Sequence, residues 1–399
     1  MSAETVTAPG FLQSRLGGLP RAFWVLWAGT VINRLGTMVT PFMTLYLVGQ
    51  RGLSVVAAGG VVTAFGAGSL FSQLLGGALA DRIGRRNTML IGTLSTAVLL
   101  TALAYARPIP LIIALILPLG VTFDIYRPAA QALVADLIPE PDRARAYGLQ
   151  FWGVNLGFAA SMTAAGFLAK VGFTWLFLVD AATGAVFGLL VWILVPEPRR
   201  HHEAAHHEPG GFGDVLRDRA MVIFTFCTFL YILVYLQVET TLPLAMRQHG
   251  VGTSVYGLVM AVNGLLICIV QPLIGPWLNR RDPVRTWAGG VLIVGVGFGL
   301  TAFASSALGY LGTVVIWTLA EIPPAAASGA IVARLAPPHL RGRYAGVYGM
   351  SWSVGGFLAA LGGSSLLSAG SAVLWVSCFA VCGLAALGML RTGPAIRSR

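Results

Sequence analysis

Apolar runs of roughly helix-spanning length, each closed by a charged or Gly/Pro-rich break, fill the chain from residue 22 to residue 390. A helix needs about 20 apolar residues to cross a bilayer, so the pattern predicts twelve transmembrane helices. Their expected ranges are 22–48, 55–80, 87–106, 109–136, 146–169, 173–195, 220–245, 254–278, 286–304, 308–333, 344–367 and 371–390. The widest polar interruption, 196–219, opens with Pro196-Glu197-Pro198-Arg199-Arg200. It separates an N-terminal six-helix bundle (1–195) from a C-terminal one (220–399), with 196–219 as a cytoplasmic linker.

The two sets of six are copies. A gapless shift of 198 residues carries Gly59 onto Gly257, Gly66 onto Gly264, Gln73 onto Gln271 and Gly77 onto Gly275. It also carries Pro139 onto Pro337, Arg143-Ala144-Arg145 onto Arg341-Gly342-Arg343, and Gly157 onto Gly355. An even number of spans gives both copies the same polarity. That is the parallel-repeat arrangement of transporter halves, with a site near the midplane between them.

Composition excludes other classes. The 399 residues are 56% hydrophobic and 10% charged, against about 25% charged in soluble globular chains. An all-α membrane protein is expected. The net charge of +11 records orientation. With both termini and the even-to-odd loops on one side, that side holds 20 Lys/Arg and the other four. Basic residues accumulate on the cytoplasmic side, so both termini are expected there, in a multi-pass protein of the bacterial inner membrane. No basic stretch is long enough for a phosphate-binding face, and no nucleic-acid partner is expected. Cys227, Cys268, Cys378 and Cys382 lie in apolar runs and read as core residues, not as disulfides or metal ligands. The first 20 residues lack the layout of a cleaved leader. The run His201-His202-Glu203-Ala-Ala-His206-His207-Glu208 reads as a solvated connector, and no metal site is expected.

The most specific local signal is Gly77-Ala78-Leu79-Ala80-Asp81-Arg82-Ile83-Gly84-Arg85-Arg86, followed by Leu90, between the second and third spans. Here the chain resembles the major facilitator superfamily at every defining position of its GxLaDrxGrrxxxL loop. The resemblance covers nearly the whole chain and implies that family's fold of two pseudo-symmetric six-helix bundles. Gly77 and Gly84 permit close approach and a tight turn. Asp81 would face the first turn of span 11, with Arg341 and Arg343, and Arg85 would reach Asp136. In the resembled family such contacts latch the outward-open state, which makes Gly77, Asp81, Arg82, Gly84, Arg85, Arg86, Asp136 and Arg341 the candidate switch. A generic charged loop that only sets topology is the alternative. The second copy reads Gly275-Pro-Trp-Leu-Asn279-Arg280-Arg281-Asp282 and lacks the aspartate, so one half alone should carry the full latch. Span 5 has Gly157-Phe-Ala-Ala-Ser161-Met162-Thr-Ala-Ala165-Gly166 where the drug:proton antiporter branch has GxxxGPxxGG. Small residues persist there, and close packing of spans 5 and 8 is expected.

A charge inside the bilayer costs about 2.5–3.5 kcal/mol on insertion scales and so asks for a partner or a purpose. Arg34 lies in span 1 beside Asn33, Asp124 and Arg127 share a face of span 4, Glu239 is in span 7, and Asp180 is in span 6. Glu321 in span 10 precedes Pro323-Pro324, which should interrupt that helix. Arg34, Asp124, Arg127, Glu239 and Glu321 are the candidate proton-coupling groups. The alternative is local neutralisation that fixes packing, and for Asp180 that reading leads. Asn33, Phe123, Tyr126, Tyr231, Tyr235, Asn263 and Trp317 are candidate cavity-lining residues.

No GxxxxGK[ST] or GxSxG is present, and the HExxH match His202–His206 falls in the polar connector outside every predicted span, so neither ATP hydrolysis nor intramembrane hydrolase chemistry is expected, and no cofactor beyond a proton gradient. The resemblance implies a monomeric secondary transporter that exports small hydrophobic or amphiphilic compounds against protons. Import or facilitated diffusion of a polar metabolite such as a sugar, and flipping of a lipid-like amphiphile, stand as alternatives.

Overall fold

The computed structural model describes residues 18–197, 212–278, 280–337 and 340–398. Twelve helical spans are long and apolar enough to cross a membrane. They are α1 (Arg21–Gly49), α2 (Val55–Ala80), α3 (Arg85–Tyr105), α4 (Ile109–Leu137), α5 (Arg145–Val171), α6 (Phe173–Leu194), α7 (Arg219–Thr240), α8 (Thr253–Gly275), α9 (Pro283–Phe303), α10 (Ala307–Leu335), α11 (Arg343–Ala369) and α12 (Ser371–Arg397). Among the described residues no strand forms. A short helix, Phe212–Arg217, stands in the stretch read as linker.

In the first six spans, α6 packs on α3 and α1, and α2 packs on α4. In the last six, α9 packs on α12 and α10, and α7 on α12 and α11. The second set has a large aromatic core in which Trp287, Trp317, Trp375 and Phe298 are all closed to solvent. The two sets meet along α2–α11 and α5–α8. Both seams are built on the glycines that the repeat had paired. A Cβ on Gly66 would stand 2.7 Å from Phe357 Cα, and one on Gly264 would stand 2.9 Å from Ala159 Cβ. Gly166 faces Ser254 Cα at 2.9 Å in the same sense. Only hydrogen fits there, so backbones approach closely, as membrane helices do where packing replaces hydrophobic drive.

Four helices differ from the pattern read in the sequence. Span α1 is not continuous: it is two helices, Arg21–Gly36 and Val39–Gly49, joined at Thr37–Met38. Span α7 breaks at the matching place, into Arg219–Tyr235, Gln237–Thr240 and then Leu242–Gln248. Span α4 is interrupted at Asp124–Ile125. Span α10 runs unbroken through Pro323 and Pro324, against the expected interruption. Gly290 of α9 makes room for the Pro324 ring, and a bundle can absorb the lost amide bonds by local adjustment.

Candidate transport site and switch loop

The break in α4 sets the first part of the site. Freed from regular helix, Asp124 turns its carboxylate to Arg127 Nε at 2.8 Å. Arg127 remains two-fifths exposed at mid-span (41%). It lies in the electrostatic field of Glu239 from the other half, and Glu239 in turn feels Arg127, Arg34 and Asp124. The structure therefore brings Arg34, Asp124, Arg127 and Glu239 to one place between the halves. Arg34 reaches the Tyr126 hydroxyl through Nη2 at 3.1 Å. Glu239 is half-buried on the Gln237–Thr240 segment, which packs against the Val39–Gly49 segment of α1.

Glu321 stands apart from this group. It is 5% exposed and accepts a 2.7 Å hydrogen bond from Asn263 Nδ2, which also donates to Thr318 at 2.9 Å. Tyr235 lies beside the same carboxylate. These partners come from α7, α8 and α10 and are all neutral, so the carboxyl can hold its proton without stranding a counter-charge.

The candidate lining residues divide. Tyr231 packs between Trp287 and Tyr235, and Tyr235 sets its ring 5.8 Å from Trp352. Trp317 is 1% exposed and stacked on Phe298, so it is a core residue of the α9–α10 contact and lines no cavity here. Asn33, Phe123 and Tyr126 do line a cavity, but it lies inside the first six-helix set rather than between the sets. Its volume is about 20 Å³, and Arg34, Thr96 and Asp180 share its wall. Asp180 is 4% exposed, and its carboxylate accepts the Val39 amide across the joint in α1 at 3.4 Å. Nothing local in the sequence marks this contact.

At the switch loop, Gly84 has φ +96°, a turn that favours glycine. Arg85 pairs with Asp136 at 3.1 Å, tying the start of α3 to the end of α4. Glu197, just past α6, was not singled out in the sequence, yet its two oxygens accept the Arg85 and Arg86 amides at 2.8 and 3.2 Å. It thereby caps the helix start, where amides lack intrahelical partners. Arg86 adds an ion pair to Glu197 at 3.7 Å and a bond to Val195 O. Arg82 lies at the foot of α2 and is exposed. Gly77 departs from expectation: a Cβ there meets nothing within 4 Å, whereas at Gly76 it would stand 3.2 Å from Ile125 Cα. The close approach belongs to Gly76. The side chains of Asp81 and Arg341 lie outside the described residues, as do Asn279 and the histidine run 201–207.

In the second half, Asp282 occupies the position matching Gly84. It caps α9 through the Arg285 amide and pairs with Arg397 at the end of α12. Partial burial works against the ionised form there, but the Arg285 amide and the Arg397 guanidinium prevail and hold the Asp282 carboxyl below the ordinary carboxylate range.

Comparison with known proteins follows the same architecture. The chain is 26% identical over 349 residues to the multidrug resistance protein MdtH of Aeromonas salmonicida, covering 86% of this chain and 87% of that one. It is 22% identical over 360 residues to a Na(+), Li(+), K(+)/H(+) antiporter of Planococcus maritimus, with 81% and 84% covered. A crystal structure of a POT family transporter in complex with 5-aminolevulinic acid superposes with a TM-score of 0.82 at 16% identity, over 96% of this chain and 98% of that one. The sequence model of the Major Facilitator Superfamily matches residues 26–360 and 240–392. Twelve helices, a duplicated half and this match together make the chain a member of the major facilitator superfamily.

Proposed function

We propose that this protein exports small hydrophobic or amphiphilic compounds in exchange for protons, by rocking its halves around the Arg34–Asp124–Arg127–Glu239 group. The observation that carries the reading is that Glu239 of the second half shares an electrostatic environment with Arg34, Asp124 and Arg127 of the first. A solute entering that space competes for the Asp124–Arg127 pair, and a carboxyl released from its pair takes up a proton. Glu321, in its neutral nest, is the second proton-carrying group. The arginine-rich side is the cytoplasmic one in this reading. The glycine seams α2–α11 and α5–α8 close the opposite side, so the conformation faces inward. MdtH, named a multidrug resistance protein, and the cation/H(+) antiporter support efflux and proton exchange.

Purified protein in liposomes with a trapped pH dye, challenged with a panel of hydrophobic cations and neutral amphiphiles, tests this. A solute-dependent change of lumen pH, abolished in Glu321→Gln and Asp124→Asn, is the expected result. Equal solute movement with and without a pH gradient would replace antiport by facilitated diffusion. Scrambling of labelled lipid without solute transport would make the protein a flippase.

A further inference from the structure

The polar wall of the small cavity in the first half has no polar counterpart in the second. The 198-residue shift carries Asn33, Arg34, Thr93, Thr96 and Asp180 onto Tyr231, Ile232, Val291, Val294 and Cys378. One copy of a duplicated unit has thus kept or acquired five polar groups where its twin is built from largely apolar side chains. Two of the cavity's polar atoms, Arg34 Nε and Thr96 Oγ1, are buried and have no hydrogen-bond partner among the described residues. An orphaned buried polar atom is costly, and a space of about 20 Å³ is enough for one water. The cavity is a built site for water beside a buried carboxylate.

That carboxylate, carried on α6, is bonded to the joint in α1. Asp180 accepts the Val39 amide at the start of the second α1 segment, and Ser161 of α5 donates to the Thr37 carbonyl on the other side of the joint at 3.1 Å. The exposed amides of a helix start favour negative charge. The charge on Asp180 therefore bears on how firmly the two pieces of α1 are held.

We propose that Asp180 is a proton-binding site internal to the first half, hydrated by cavity water, and that its charge sets the joint in α1. This rests on the proton-coupled reading above. The groups facing Asp180 are Arg34 from α1 and Tyr126 from α4; α3 presents the hydroxyls of Thr93 and Thr96, and α5 that of Ser161 near the joint. Ionised, Asp180 balances Arg34. A solvent proton relayed through the cavity water, which gains one O–H bond as it breaks another, forms an O–H bond on the carboxylate and removes that balance. The remaining carbonyl oxygen still accepts the Val39 amide, and Arg34 turns its charge toward Asp124 and Glu239. Because the Val39–Gly49 segment packs on the segment carrying Glu239, the event is felt where the halves meet.

Infrared difference titration of the purified full-length protein, from about pH 5 to about pH 9, reads carboxyl protonation directly and needs no transported solute. One titrating carboxyl band should vanish in Asp180→Asn and persist in Asp124→Asn and Glu321→Gln. In Asp180→Glu the band should move to a glutamic-acid position, which decides the matter if the asparagine variant does not fold. Thr96→Val, which removes a hydroxyl from the cavity wall, should shift its midpoint by about one pH unit. Bands that disappear only in the Asp124 or Glu321 variants would overturn this inference and leave the proposed antiport standing. No titrating carboxyl at all would overturn both.

Discussion

The same joint is built twice in this molecule, with opposite chemistry. At the break in α7, a neutral amide, that of Gln237, does the holding. Its Nε2 donates to the Leu233 and Ala359 carbonyls at 2.7 and 3.1 Å, and its Oε1 accepts from Thr241 and Thr240 at 2.8 and 3.1 Å. At the break in α1, an ionisable group does the holding: Asp180, beside Arg34 and a space for water. The second pair of equivalent places reverses the assignment. Phe65 and Phe123 meet edge-on at 5.4 Å in the first half, where the second half has Asn263 bonded to Glu321. At these two places each half therefore carries one acid, and at opposite ones. Duplication supplied the frame, and divergence decided where protons and charges are held.

Moving the acid across the repeat should have the largest effect on stability. Cys378→Asp puts a carboxylate at the joint of α7, with Ile232 where the first half has Arg34. An unpaired buried charge of this kind costs roughly 3 kcal/mol or more, so thermal unfolding should occur far below that of the native protein, and a native-like melt would show the two joints to be interchangeable. The two seams that join the halves should behave alike. Gly264→Leu forces a side chain into the α5–α8 contact and should cost about 1–3 kcal/mol, seen as a lowered melting temperature with transport reduced in step. Ser161→Ala removes one buried bond from the α1 joint and should cost about 1 kcal/mol by the same melt; no change would mean that the Thr37 carbonyl is satisfied without it.

The smallest effect belongs to the Asp282–Arg397 pair. Its carboxyl is held below the ordinary range, so its contribution is complete above the unfolded-state value near 4 and is lost as pH falls through the lower folded-state value. The stability gap between native protein and Asp282→Asn should accordingly narrow on acidification below about pH 4. For a partly exposed pair the gap at neutral pH should be under about 1 kcal/mol.

Spans, seams and repeat were legible because apolar length and glycine spacing are written locally. Gly59 and Gly66 bring α2 to α11, and Gly257 and Gly264, their partners under the 198-residue shift, bring α8 to α5. The helix breaks were not legible. Pro323-Pro324 carried the obvious signal and α10 runs straight through, while α1 parts at Thr37–Met38, with only Gly36 before it and Pro41 beyond it as local marks. There the freed backbone groups are satisfied by Ser161 and Asp180, from spans more than a hundred residues away in the chain, and tertiary partners of that kind leave no trace in local composition. The same limit hid Glu197. An acid in a polar stretch looks like solvent-facing charge until α6 and α3 are set side by side.

The two loop staples, Glu197 on the start of α3 and Arg397 on Asp282, each begin and end within one set of six helices. A gene split between codons 198 and 211 would give two polypeptides that each retain their own staple. Co-expressed, they should find each other through the glycine seams and rebuild a nicked carrier, which would let either piece be isotope-labelled alone.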